Sequence, residues 1–261
     1  MTEQSDQNDQ DEFRAKGEVK GEVKSSPYTV KVLKTNKDGL EQPHCCEVEL
    51  LPPVPFSALV VGKTASGKSL ATFNLLSNPH LLGGYFDFII LFVGVKPDPD
   101  MIKILKLPKE NIKKDFTIEE VDQMMDKMEL AVDKNGFKKC PKTLYLFDDI
   151  LSRSDFLKSP VFTKMMTTNR HMGLSVILLT QYYKKMPSVA RTNCSYYMIF
   201  PSNLQELDKI SEELTPPNMS KKEFIKVAQH ATKNKYQFLS INTKAESDKM
   251  LRKNFDTFLT L

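Results

Sequence analysis

The sequence predicts an α/β domain whose mostly parallel central sheet is flanked by helices on both faces. Three observations carry this. Strand-sized apolar runs alternate with stretches of helical periodicity. The runs are almost continuously apolar, as in strands buried on both faces. The 261 residues, 40% apolar and 27% charged, suit one large domain with decorations. No apolar run approaches the ~18–20 residues that cross a bilayer, and the best, Phe88 to Val93, is strand-sized. No membrane span is therefore expected.

Residues 1–26 lack periodicity and carry the tandem repeat Lys16 to Lys24, KGEVKGEVK, so a disordered tail is expected. Residues 27–57 read as an extension with short strands at Tyr28 to Leu33 and Glu47 to Leu51, split by the turn signal Asn36-Lys37-Asp38-Gly39. Residues 58–261 form the main domain. In it Ala58 to Val61 is a strand, Leu70 to Leu76 continues as a helix, and Tyr85 to Val93 is a buried strand. Residues 96–116, rich in lysine and proline, are expected to be irregular. Thr117 and Glu120 form a capping box for a helix whose Val121, Met124, Met125 and Met128 recur at helical spacing, as core packing. Thr143 to Phe147 is a strand, Pro160 to Asn169 a helix, Leu174 to Leu179 a strand and Tyr196 to Phe200 another. Ser202 with Gln205, and Ser220 with Glu223, read as capping boxes opening helices near 203–214 and 221–232. Tyr236 to Ile241 is the last expected strand.

Charge is uneven. Residues 1–25 carry net −3, and the rest carries net +7 within an overall +4. A mildly basic domain suits an anionic partner such as nucleic acid and equally suits a lysine-rich solvated surface. The N-terminus is acidic and polar, unlike a secretory signal or transit peptide. Cys45, Cys46, Cys140 and Cys194 show neither CxxC pairing nor metal spacing, which points to a reducing compartment.

Gly62-Lys63-Thr64-Ala65-Ser66-Gly67-Lys68-Ser69 fits G-x-x-x-x-G-K-[ST], a phosphate loop. Chance matches in such a chain number on the order of 0.01, and the strand before it and helix after it are the required context. The glycines let successive N–H groups converge on phosphate oxygens. The helix beginning through Leu70 turns its positive end to the same anion. Residues 62–70 are thus the expected ATP site. Lys68 would reach the β- and γ-phosphates and the Ser69 hydroxyl would ligate Mg2+.

Leu144 to Phe147 runs into Asp148-Asp149. A parallel strand ending in carboxylates presents them where ligands of α/β sheets collect. Asp148 would hold Mg2+, and Asp149 would orient and deprotonate the attacking water. Gln181 ends the apolar strand that follows. If that strand lies between the phosphate-loop strand and the acidic strand, Gln181 faces the γ-phosphate as a sensor. Otherwise it is a strand-end amide bonded to a loop. Arg170 and, ranked below it, Arg191 are candidates for a cation donated by a neighbouring subunit, or are structural. His171 has no second His or Cys at ligand spacing. Lys184-Lys185 sit in a turn that would either touch nucleic-acid phosphates or be solvated.

Together GKTASGKS, LYLFDDIL, NRHMGLSVILLTQ and ARTN resemble the poxvirus-type genome-packaging ATPases of the FtsK–HerA group of P-loop NTPases, found in large DNA viruses, virophages and Polinton-like elements. The likeness covers roughly residues 54–202, more loosely to 241. It implies a P-loop NTPase core with the sensor strand between the loop strand and the acidic one, and an ATP-hydrolysing motor, a homo-oligomeric ring (pentamer or hexamer), that threads double-stranded DNA into a capsid and meets viral capsid proteins. It implies action in the host cytoplasm or viral factory, or on the virion. Lys68, Ser69, Asp148 and Gln181 match the family's loop, metal and sensor residues, and Asp149 stands where many relatives have Glu. From the residues alone, a small-molecule kinase and a non-hydrolysing nucleotide-binding scaffold remain the alternatives.

Overall fold

A computed structural model describes residues 50–94 and 99–259 of the chain. The expected tail and the strand at Tyr28 to Leu33 lie outside these residues. So does the expected Glu47 to Leu51 strand, apart from Leu50 and Leu51, which are not in a strand.

Among the described residues, nine strands form one sheet. In chain order they are β1 (Ser57–Val61), β2 (Phe88–Val93), β3 (Ile112–Lys113), β4 (Thr143–Asp148), β5 (Leu174–Thr180), β6 (Tyr196–Ile199), β7 (Leu239–Asn242), β8 (Leu251–Lys253) and β9 (Thr257–Phe258). Across the sheet the order is β3-β2-β4-β5-β1-β6-β7-β8-β9. Pairing is parallel from β3 to β6 and antiparallel from β6 to β9. Strand β5, which ends at Thr180 just before Gln181, therefore lies between the phosphate-loop strand and the acidic strand, as expected. In register, Val61 is opposite Thr180 and Asp148 is opposite Leu179.

Side chains alternate between two cores with the two-residue period of a pleated strand. Leu59, Val61, Phe92, Tyr145, Phe147, Val176 and Leu178 face one core. Ala58, Val60, Leu91, Val93, Leu144, Leu146, Ile177 and Leu179 face the other. The first face is covered by α3 (Ile118–Asn135), α4 (Ser154–Leu157), α5 (Pro160–Thr168), α6 (Ser188–Asn193), α7 (Leu204–Leu214) and α8 (Lys221–Ala231). Its centre is aromatic, with Phe92 stacked on Phe147 at 4.5 Å between centroids. The second face is covered by α1 (Lys68–Ser77), α2 (Pro99–Ile104) and the buried Leu51, Val54 and Phe56.

Local signals explain most boundaries. The Thr117 hydroxyl accepts from the Glu120 amide to open α3, and Ser220 and Glu223 form the reciprocal box that opens α8. Three expectations need correction, one of them the strand from Tyr236, which begins only at Leu239. The cap of α7 is Asn203, not Ser202. Asn203 Oδ1 accepts from the Glu206 amide at 2.9 Å, while the Ser202 hydroxyl bonds the Phe200 carbonyl. Residues 96–116 are not all irregular, because Pro99 opens α2 as its first residue and Ile112–Lys113 adds an edge strand to β2. Strands β8 and β9 and helix α6 carry sequence patterns too short to have been read.

Candidate functional site

The C-terminal ends of β1, β4 and β5 meet at one edge of the sheet, and the site is built there. Residues 62–67 link β1 to α1. The Gly62 amide donates to the Thr180 carbonyl at 3.1 Å, fastening the loop to β5. Ala65 (φ 62°) and Gly67 (φ 106°) adopt left-handed backbone conformations that curl the loop into the helix. A Cβ at Gly62 would sit 2.5 Å from Phe200 Cβ, and one at Gly67 would sit 2.9 Å from Tyr236 Cδ1, so both positions exclude a side chain. Helix α1 starts at Lys68 with no side-chain cap. Its first N–H groups are therefore presented outward with the positive end of the helix.

Lys68 Nζ donates to the carbonyls of Gly62 (2.7 Å) and Lys63 (3.0 Å). Burial holds its ammonium below the ordinary lysine pKa, partly offset by the charges of Asp148 and Asp149. Lys68 thus lies within reach of the charge of both carboxylates. The Ser66 hydroxyl is buried with no hydrogen-bond partner among the described residues. An uncapped helix end, a backbone-only cradle and an orphan hydroxyl fit a phosphate group. For magnesium, the candidate donors are hard oxygens, the Ser69 hydroxyl and the Asp148 carboxylate. One carboxylate plus substrate phosphate and water is the ligand set that Mg2+ favours. Among the described residues, no cluster of three or more His, Cys, Asp or Glu forms a self-sufficient metal site.

Asp148 is the last residue of β4. Asp149 turns the chain in a left-handed conformation (φ 50°, ψ 49°). That turn brings its carboxylate to Gln181, whose Nε2 donates to Asp149 Oδ2 at 3.4 Å. Sequence reasoning missed Gly94. The Gly94 amide donates to the Asp148 carbonyl, and a Cβ at Gly94 would sit 2.1 Å from the Asp149 carbonyl oxygen. Only glycine admits the acidic turn so close to β2. A lone glycine at a strand end was the only signal available.

The segment after Gln181 is pinned. Glu206 accepts from the Tyr183 and Lys184 amides, and Glu213 accepts from the Tyr183 hydroxyl at 2.7 Å. Burial and Glu213 push the Tyr183 phenol well above its usual range, so it stays a donor. Lys184 and Lys185 are exposed, and Lys185 lies over the Tyr182 ring.

The two candidate arginines differ. Arg191 is ion-paired with Glu213, donates to the Met186 carbonyl and lies over the Tyr183 ring. Arg170 is exposed in the turn Asn169–Met172 before β5, and no ion pair to a described residue holds it. It lines a cavity of about 190 Å³ with Pro52, Ser57, Cys194 and Lys244. That cavity is at the N-terminal edge of the parallel strands, a strand length or about 20 Å from Gln181. Arg170 is thus not brought to the acids and loop of its own chain.

Residues 47–258 match the family described as Poxvirus A32 protein. The chain is 25% identical over 169 residues to the DNA packaging protein OPG160 of vaccinia virus (strain Copenhagen), covering 62% of this chain and 59% of that protein. The OPG160 protein of monkeypox virus matches at the same identity, over 53% of its length. The chain therefore aligns with less than two thirds of these relatives. Among solved structures, B204, the DNA-packaging ATPase from Sulfolobus turreted icosahedral virus, superposes with a TM-score of 0.54. It is 15% identical, over 78% of this chain and 98% of that one. The genome packaging NTPase B204 from Sulfolobus turreted icosahedral virus 2, solved in complex with ATP-gammaS, gives 0.50 at 17% identity and the same coverage. This likeness is one of fold.

Proposed function

The chain belongs to the poxvirus A32 family, and from that premise we propose that it is an ATP-hydrolysing motor that drives double-stranded DNA into a viral capsid. The observation that carries this is the gathering of the phosphate loop, Asp148, Asp149 and Gln181 at one sheet edge, with Asp149 bonded to Gln181. A loop alone would suit a nucleotide-binding scaffold. An acid held beside a phosphate loop by a polar amide suits turnover.

In this reading the backbone of residues 62–70 cradles the triphosphate, and the positive end of α1 favours its charge. Lys68 exchanges its two loop carbonyls for β- and γ-phosphate oxygens. Ser69 and Asp148 would hold Mg2+, which would supply charge neutralisation between the phosphates. Asp149 accepts the proton of an attacking water, and Gln181 fixes the direction of that carboxylate. Catalysis is then positioning plus electrostatics in a half-buried site. Arg170 would serve the site of the adjacent copy in a homo-oligomeric ring. Its exposure, its freedom from ion pairs with described residues and its place at the opposite sheet edge support that reading. The ATPase domain is residues 58–261, preceded by a tail (1–26) and an extension (27–57). Capsid proteins are the docking partners, and the host cytoplasm, viral factory or virion is the setting.

The test is steady-state ATP hydrolysis with and without double-stranded DNA. Turnover that DNA stimulates and Lys68→Ala abolishes is expected. Nucleotide binding without turnover, DNA present or not, would overturn the motor in favour of a scaffold.

A further inference from the structure

We propose that Tyr236 is the base-stacking residue of the nucleotide site, a ring on which the purine of a bound nucleoside triphosphate rests. The proposal depends on the nucleotide reading of the phosphate loop given above and extends it to the nucleoside end of the ligand.

The position of the ring carries the argument. Tyr236 Cδ1 lies 2.9 Å, and its Cβ 3.4 Å, from where a Cβ would project at Gly67. The ring therefore borders the last turn of the loop, one residue before Lys68. Phe200 backs the same glycine and packs on Phe238 at 5.1 Å between centroids. Tyr236 nevertheless remains 47% exposed, so the wedged ring keeps part of its surface open to a ligand. Its backbone is left-handed (φ 66°), in a turn closed by the Gln237 amide on the Asn234 carbonyl. Strain of this kind persists where the surroundings hold it.

The sheet order gives the direction. Asp148, Asp149 and Gln181 lie at the ends of β4 and β5, on one flank of β1, while Phe200, just after β6, and Tyr236, on the approach to β7, lie on the other. A triphosphate whose terminal phosphate meets the acids leads its sugar and base toward the Tyr236 flank. The ring's own contact there is Lys235 Nζ, 4.7 Å from the centroid. An exposed cation–π contact is weaker than base–aromatic stacking, so a base displaces the lysine from the ring face. Stacking tolerates any base, so the ring would set affinity rather than choose adenine over guanine.

The experiment measures equilibrium binding of ATP-gammaS and of inorganic tripolyphosphate, both with Mg2+, to the full chain and to Tyr236→Ala, Tyr236→Leu and Tyr236→Phe. Thermal melts of each variant identify any that fails to fold. Tyr236→Ala and Tyr236→Leu are expected to weaken ATP-gammaS about tenfold and leave tripolyphosphate unchanged, with Tyr236→Phe close to wild type. Unchanged ATP-gammaS binding in Tyr236→Leu would overturn the proposal. Equal weakening of both ligands would also overturn it, reducing the ring to a wedge behind Gly67. Wild type that binds neither ligand would instead overturn the nucleotide reading itself.

Discussion

Gln181 Nε2 donates to Asp149 Oδ2 across 3.4 Å, joining the ends of two adjacent parallel strands that lie 32 residues apart in the chain. Asp149 reaches this position only by turning left-handed directly after β4. The amide holds the carboxylate without neutralising it, so a change at either residue should alter turnover more than binding.

Gln181→Ala is expected to lower kcat about 100-fold with little change in nucleotide Kd, the usual scale for losing a positioned acid–base arrangement. Gln181→Glu should be at least as damaging, because it sets a second negative charge beside Asp149. Single-turnover hydrolysis alongside ATP-gammaS titration checks both. A matching rise in Kd would show that Gln181 acts in binding instead.

Gly94→Ala tests the turn from the other side. Its methyl would meet the Asp149 carbonyl at 2.1 Å, so the acidic turn must shift. The expected cost is about 1–3 kcal/mol of stability, with hydrolysis lost and nucleotide binding kept. Urea unfolding and the two activity readouts separate these effects.

The pH dependence of nucleotide affinity should report Lys68. Burial holds its pKa below 10.5, so in the free protein the ammonium loses its proton earlier than an ordinary lysine. Phosphate favours the charged form, so affinity is full below the free-protein pKa and falls as pH rises through it. Stability takes the opposite sign. Between the lowered folded pKa and the unfolded value the unfolded chain binds more protons, so this group's contribution rises with pH. Lys68→Arg should remove the alkaline fall in affinity, which titrations from pH 7 to 10 would reveal.

The two arginines should separate cleanly. Arg191→Ala removes the ion pair to Glu213, the bond to the Met186 carbonyl and the cover over the Tyr183 ring, while Glu213 keeps Lys209 and the Tyr183 hydroxyl, and it is expected to cost about 1–2 kcal/mol. Arg170→Ala, at an exposed site, should move stability by no more than about 0.5 kcal/mol yet lower turnover at protein concentrations where the wild type is assembled. Mixing Arg170→Ala with Lys68→Ala subunits should restore part of the activity if the arginine serves a neighbour.

Much of this fold is legible in short stretches of chain. Thr143 to Asp148 reads as a strand because continuous apolarity is what burial on two faces requires. Thr117 and Ser220 announce helices because a cap is a contact within three residues. The expected strand from Tyr236 begins only at Leu239, since Tyr236 is left-handed and breaks the extended run. Asn203 displaced Ser202 as a cap because the Ser202 hydroxyl turns back to the Phe200 carbonyl and leaves the Glu206 amide to Asn203, while the Glu206 carboxylate reaches the amides after Gln181, a contact made in space rather than along the helix.

The sequence by itself determined the phosphate loop, the acids at the end of a buried strand and the parallel α/β class, because each is written in residues that touch their chain neighbours. Only the tertiary structure decided that Asp149 meets Gln181, that Gly94 makes room for the acidic turn, that Tyr236 borders Gly67 and that Arg170 lies at the far edge of the sheet. Parallel strands are joined by long crossovers, and a crossover leaves no local periodicity from which its partners could be read.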